Sequence, residues 1–343
     1  VQEGRAEVQA NHPASHIEVQ ESAHYKKRDK LEPSMSLSAI PPVSMTRYDS
    51  DFEAFAQELG TWFERYGFAV VADHGVNQVV IDESLQASRD FFALSSDVKR
   101  SYHVPKGGGQ RGYTAFGVET AKDHTVADLK EFWHTGRELS QGHRNRALMP
   151  PNVAMAAIPG FDEKQKALFD AMDDLGRRVL RAIASYLGLH PEFFDPKVAD
   201  GNSILRILHY PAIADSVTPG AIRAGAHTDI NVITLLLGSE EPGLQLQDRT
   251  GQWLSITPPK GCVVINIGDM LSRMTNDRLP STPHRVVNPD QTRARFARYS
   301  TPFFLHFAPD VVVETMEWGG APKYEPITAQ AFLEQRLSEI KLT

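Results

Sequence analysis

AGAHTDINVITLLL, residues 224–237, decides how this chain is read. In extended backbone alternate side chains share a face, so His227 and Asp229 present a nitrogen and an oxygen donor to the same side. The apolar run after them reads as a buried strand, and similar runs crowd the neighbourhood. After residue 203 the hydrophobic period changes from about 3.6 to 2. The runs are SILRILHY, NVITLLLG, GLQLQD, QWLSI, CVVINIG, HRVVN and RFARYSTPFFLHF. Turn residues separate them: Pro-Gly at 219–220 and 242–243, Asp-Arg-Thr-Gly at 248–251 and Pro-Pro-Lys-Gly at 258–261. Strands do not alternate with helices here, which disfavours a doubly wound parallel sheet and favours an antiparallel barrel or jelly roll.

Upstream the period is helical. Phe52, Phe55, Leu59, Trp62 or Phe63 and Tyr66 recur every three or four residues, and Gly67 can end that helix. FAVVADHG at 68–75 reads as a strand, 81–99 as a second helix and 161–188 as a long helix backing a sheet. KGGGQRGYTAFG at 106–117 reads as too flexible for a core, and ITAQAFLEQRLSEIK as a final helix with Thr328 as its N-cap. Residues 1–44 are polar, mixed in charge and aperiodic, and read as a flexible leader. The rest, 45–343, reads as a single domain: a mostly helical part over 45–200, a jelly-roll metal core over 201–310, and a C-terminal segment over 311–343.

Of the 343 residues 41% are hydrophobic and 23% charged, enough to bury a core, and the net charge is -7. Without a basic stripe, nucleic acid is disfavoured as a partner. No run reaches the roughly 18–20 apolar residues of a membrane span. The single cysteine, Cys262, excludes an intramolecular disulfide and fits a reducing, cytoplasmic compartment. Nothing in the sequence names a protein partner.

A third donor, His284 in STPHRVVN, lies about 55 residues beyond Asp229, where another strand begins. Two imidazoles and a carboxylate on one side of a metal leave adjacent positions open, an arrangement typical of non-haem Fe(II) oxygenases; zinc also accepts these donors. Arg298 and Ser300 in ARYSTPFFLHF share a strand face, a planar guanidinium beside a hydroxyl, suited to a carboxylate. In SILRILHYP, Arg206, Leu208 and Tyr210 share a face, and the Tyr210 hydroxyl could meet an oxyanion.

His-x-Asp, a distant His and then Arg-x-Ser, together with the Tyr210-Pro211 pair, resemble the iron(II)- and 2-oxoglutarate-dependent dioxygenases of the isopenicillin N synthase-like superfamily. The resemblance runs from Pro41 to the C-terminus, closest to bacterial members. It implies a mainly β core with flanking α-helices, a double-stranded β-helix or jelly roll. It also implies Fe(II) on His227, Asp229 and His284, the distal carboxylate of 2-oxoglutarate on Arg298 and Ser300, and Tyr210 beside that cosubstrate. The implied reaction consumes molecular oxygen, releases succinate and carbon dioxide, and oxidises a small organic molecule, by hydroxylation first and by desaturation or ring closure otherwise. Leu208 departs from the asparagine many members carry there. The resemblance makes Asp269 a carboxylate near the metal ligands, paired with Arg285, and not a fourth ligand. RGYTAFGVE and LKEFWH match regions at the substrate mouth, so Arg111, Tyr113, Phe116, Phe132 and Trp133 are candidate substrate contacts. Leu208, Leu235 or Leu237 and Phe304 would wall off water. A 2-oxoglutarate-independent oxidase of the same fold, a zinc hydrolase and a non-catalytic binding protein are the alternatives.

Overall fold

The computed structural model describes residues 40–105, 107–119, 128–213, 222–238, 243–316 and 320–339. Residues 1–39 of the expected leader lie outside them. Residues 40–44 belong to the fold: β1 (Val43–Ser44) pairs in parallel with β2 (Phe68–Ala72), and Val43 is buried.

Between them lie α1 (Thr46–Ser50) and α2 (Phe52–Tyr66). Asp51 caps α2 by accepting from Ala54 N, and Gly67 ends it in the left-handed region at φ 66°, where a side chain would be strained. The helix expected over 81–99 is two helices, α3 (Gln78–Phe92) and α4 (Ser96–Arg100), because the Ser95 side chain accepts from Val98 N and opens a new one. Next come β3 (Gly112–Thr114) and β4 (Glu131–Gly136), both fully buried. The glycine-rich segment, whose composition argues for a loop outside the core, supplies β3. Its glycines bracket a strand that is short enough to escape a periodicity reading.

The long helix α5 (Phe161–Tyr186) buries one stripe, including Met172, Leu175, Val179 and Ile183, and is followed by the one-turn α6 (Asp195–Val198). Then come β5 (Ile204–Tyr210), β6 (Ala224–His227), β7 (Ile233–Leu237), β8 (Leu244–Gln247), β9 (Trp253–Ser255) and β10 (Val263–Ile267). The short α7 (Asp269–Met274) precedes β11 (His284–Val286), and α8 (Gln291–Ala294) precedes β12 (Arg298–Ser300) and β13 (Pro302–Leu305). β14 (Val312–Val313), β15 (Ile327–Thr328) and α9 (Ala329–Glu339) complete the described chain, with Thr328 Oγ1 accepting from Ala331 N at the start of α9.

Two sheets face each other as a jelly roll. The larger runs β1-β2-β10-β7-β13-β5-β4-β3, with β12 also on β5; the smaller runs β6-β11-β8-β9. Residues opposite each other in antiparallel pairs share a face. The registers Ile265↔Leu235, Phe303↔Leu235, Phe303↔Leu205 and Trp133↔Ile207 therefore define one face of the large sheet. These residues and α5 form one continuous core. The other face carries Asn266, Thr234, Phe304, Ile204, Arg206, His134, Leu208, Phe132, Tyr210, Arg298 and Ser300. That second face looks toward the small sheet.

Candidate metal centre

β6 and β11 run antiparallel with His284 directly opposite His227, and their rings lie 4.4 Å apart. Beyond β6 the chain turns so that Asp229 Oδ1 lies 3.7 Å from His227 Nε2 and 3.8 Å from His284 Nε2. The three donor atoms all lie within 4.8 Å of one another, and this is the one such group among the described residues. Each ligand's other polar atom is already engaged. The Gly225 carbonyl accepts from His227 Nδ1 at 2.7 Å and the Thr282 carbonyl from His284 Nδ1 at 3.2 Å, fixing the tautomer with the Nε2 lone pair exposed. Thr234 Oγ1 and Asn266 Nδ2 donate to Asp229 Oδ2 at 2.5 and 2.8 Å, leaving Oδ1 for the metal side. A divalent cation taking two neutral imidazoles and one carboxylate fits this donor set.

The electrostatics keep the donors ready. Burial, then the adjacent His284, push the His227 imidazole below its ordinary value, so it stays neutral. Burial works against the Asp229 carboxylate, but His284, His227, Asn266 and Thr234 outweigh it and hold the group below its ordinary range. Gly268 permits a close approach behind the site: a Cβ there would lie 2.1 Å from the Asn231 carbonyl oxygen, while Asp269 N donates to the Asp229 carbonyl at 2.7 Å. Asp269 itself meets Arg336 of α9 at 3.1 Å and accepts from Thr228. The expected partner, Arg285, instead donates to Gln245 and lies over Trp253, because its strand neighbour His284 takes the inward face.

A cavity of about 340 Å³ opens over the triad, lined by His227 and Asp229 and, on its far wall, by Phe132, His134, Arg206, Phe304 and His306. Arg298, Ser300 and Tyr210 are buried together on the same sheet face. Arg298 opposes Tyr210, its guanidinium carbon 5.2 Å from that ring, and Ser300 opposes Leu208. None of the three lines this cavity; Phe132 does, and it packs with Leu208 and Tyr210.

Of the five expected mouth residues, Phe132 is the one that lines the cavity. Trp133 points the other way, into a core of Phe91, Tyr102 and Phe161, because consecutive strand residues face opposite sides. Tyr113, opposite Trp133, shares that face and donates its hydroxyl to Glu131. Arg111 is buried beside Gly136, donating to Gln110 O and Asn202 Oδ1, and Phe116 is exposed and does not line the cavity. For the same reason of parity Leu235 and Leu237 face α5, whereas Leu208 and Phe304 face inward. The polar residues Thr234, Asn266, His134 and His306 escaped the sequence reading. Their signal was a polar residue at a site-facing position within an otherwise apolar strand or at its end.

Fold and site together define a non-haem iron oxygenase with two histidines and one carboxylate as the candidate metal donors. The model of the 2OG-Fe(II) oxygenase superfamily matches residues 201–307, and that of the non-haem dioxygenase N-terminal region named for morphine synthesis matches 40–157. The 2-oxoglutarate-Fe(II) type oxidoreductase hxnY of Emericella nidulans is 34% identical over 287 residues, 80% of this chain and 81% of that protein. A 2OG-Fe(II) oxygenase family protein from Caulobacter crescentus superimposes with a TM-score of 0.82 at 56% identity, covering 88% of this chain and 99% of that one. A full-length Neurospora crassa protein, crystallised in complex with alpha-KG and thymine, gives a TM-score of 0.77 at 31% identity, over 87% of this chain and 96% of that one. The chain belongs to the 2OG-Fe(II) oxygenase superfamily and is an Fe(II)- and 2-oxoglutarate-dependent oxygenase.

Proposed function

We propose that His227, Asp229 and His284 hold the Fe(II), that Arg298 and Ser300 bind the distal carboxylate of 2-oxoglutarate with Tyr210 beside it, and that a small organic molecule is oxidised, by hydroxylation, in the cavity above. The observation that carries this is the convergence of three donor atoms within 4.8 Å whose ligands' other polar atoms are already hydrogen-bonded. Bound iron supplies oxygen activation coupled to decarboxylation of 2-oxoglutarate, with succinate and carbon dioxide as products. The chain supplies the rest. The ladder pairing of His227 with His284 fixes two donors on one rigid element pair, and Thr234 with Asn266 fixes the third. Arg298 offers a planar fork with which Ser300 can cooperate, both buried, so an incoming carboxylate is held with little competition from water. Phe132, Leu208 and Phe304 present apolar surface on the face toward the site and exclude solvent from the reacting carbon.

A small substrate is supported by the modest cavity and by the thymine bound to the Neurospora crassa relative. Among the described residues no helix is long and apolar enough to cross a membrane. The buried, unpaired thiol of Cys262 suits a reducing, cytoplasmic setting, which is part of the proposal. The test is a 2-oxoglutarate titration of the iron-loaded protein without oxygen. Arg298→Lys keeps the charge but loses the fork, so 2-oxoglutarate affinity falls roughly tenfold while iron affinity holds. Equal affinities in the two proteins would remove Arg298 from the cosubstrate site.

A further inference from the structure

The cavity wall opposite the triad carries a set of polar groups that neither iron nor 2-oxoglutarate requires. Arg206 projects from the middle of β5 into the cavity, with its guanidinium carbon 4.1 Å from the Phe132 ring centre and 5.2 Å from that of Phe304. Its Nε donates to His134 Nε2 at 2.6 Å. His134 can accept because its Nδ1 donates to the Gly109 carbonyl at 2.5 Å, which places the ring proton on Nδ1. Burial and the nearby Arg206 keep that imidazole neutral. His134 is thus a positioning residue for Arg206.

Nη1 of Arg206 meets Glu119 at 3.4 Å, and Lys130 meets Glu119 at 3.1 Å and Asp128 at 2.8 Å. Two cations face two carboxylates, so the wall is close to neutral. A ligand carboxylate docked here would meet Arg206 but also stand beside Glu119, and it would gain little. Nη2 of Arg206 makes no hydrogen bond to any described residue, while Glu119 also lines the cavity and its carboxylate has acceptor capacity left. Among the described residues the wall therefore offers an N–H donor with no partner and a carboxylate acceptor side by side, flanked by two aromatic rings.

We propose that Arg206 and Glu119 are the substrate-recognition edge, and that the substrate is a small, planar, neutral molecule with an adjacent C=O and N–H, a cyclic amide or imide. Its carbonyl accepts from Arg206 and its N–H donates to Glu119, while Phe132 and Phe304 cover its faces. This rests on the reading that the cavity above the triad receives the substrate.

The experiment uses the full chain loaded with Fe(II) and 2-oxoglutarate without oxygen, and measures binding by calorimetry with uracil, 1,3-dimethyluracil and benzoate. Uracil binds at concentrations up to about 10 mM and at least roughly tenfold more tightly than either of the others. Glu119→Gln, which keeps shape and removes the charge, weakens uracil and strengthens benzoate, inverting the preference; a residue that only holds the fold would move both ligands together. Arg206→Lys weakens uracil by about tenfold. If that variant does not fold, the Glu119→Gln inversion decides alone. Benzoate binding more tightly than uracil to the wild type, no uracil binding, or an unchanged preference in Glu119→Gln overturns the proposal. The 2-oxoglutarate titration of the same protein loaded with Fe(II) alone separates the two readings. Its failure brings down the cosubstrate site, whereas its success with no uracil binding brings down the recognition edge alone.

Discussion

The two faces of the large sheet are built from the same strands and do opposite work. Toward α5 it shows Leu205, Ile207, Leu235, Ile265, Phe303 and Trp133, an apolar surface closed by a 26-residue helix. Toward the small sheet it shows Arg206, Thr234, Asn266 and His134, one residue along each time, and Arg298 on β12, polar groups with assigned roles or partners. Substitutions on the first face should cost stability and those on the second should cost binding, although the positions alternate along one chain.

The largest expected effect is on the second face and its facing strand. Asp229→Ala or His284→Ala removes one of the three proposed metal donors, so stoichiometric iron binding is lost, with affinity falling by more than about a hundredfold, while circular dichroism stays native. Iron retained at full stoichiometry by either protein would break the comparison where it matters most. Next, Trp133→Ala empties a fully buried site in the α5-facing core and costs about 3–5 kcal/mol in denaturant unfolding, with 2-oxoglutarate affinity within about twofold of wild type. Its neighbour Phe132→Ala should weaken ligand binding in the cavity as well as stability, and the pair compared in one assay sharpens the two-face argument directly.

A smaller effect belongs to the groups behind Asp229. Thr234→Val and Asn266→Leu each leave the carboxylate without one donor, and iron affinity should fall about 10–100-fold with no change in secondary structure. The effect smallest near neutral pH is on acid stability, and it grows as pH falls. Burial lowers the His134 imidazole well below its ordinary value and His306 to about 4, so both fold neutral. Below about pH 6.5 the unfolded chain takes up protons that these residues refuse in the fold. Stability present above that pH is therefore lost as pH falls toward about 4, by up to about 1.4 kcal/mol per pH unit for each histidine. Urea midpoints of the metal-free protein at several pH values measure the slope, and His306→Gln should flatten it; a variant as acid-sensitive as wild type would remove His306 from the account.

Much of this was legible before any coordinates. The strands β5 and β7 to β11, the run that holds β12 and β13, and the long helix α5 follow from period, whereas β6 carries no apolar run and Asp229 comes beside His227 through a turn beyond β6 and not through strand parity. The choice of Phe132 and Trp133 together as cavity residues shows where the reading slipped, since alternation allows one of two neighbours to face the site. β3 and β4 lacked a legible period because both of their faces are buried, which removes the polar half of the alternation. The Asp269–Arg336 pair joins residues far apart in sequence, from the metal-side helix α7 to α9, and no local pattern carries such a contact. Thr234 and Asn266 were visible as polar interruptions of NVITLLL and CVVINIG, but a single polar residue in an apolar strand gains meaning only once its partner is known.

The central claim is that one strand pairing in the small sheet, His227 opposite His284 with Asp229 beside them, is the iron site. Crystals of the protein grown with Fe(II) and 2-oxoglutarate without oxygen, with diffraction collected across the iron absorption edge, test it most directly. The account predicts a single anomalous peak with His227 Nε2, His284 Nε2 and Asp229 Oδ1 each at roughly 2.0–2.3 Å on one side of the ion. Iron located elsewhere, or any of the three residues farther than about 4 Å from it, would contradict the account.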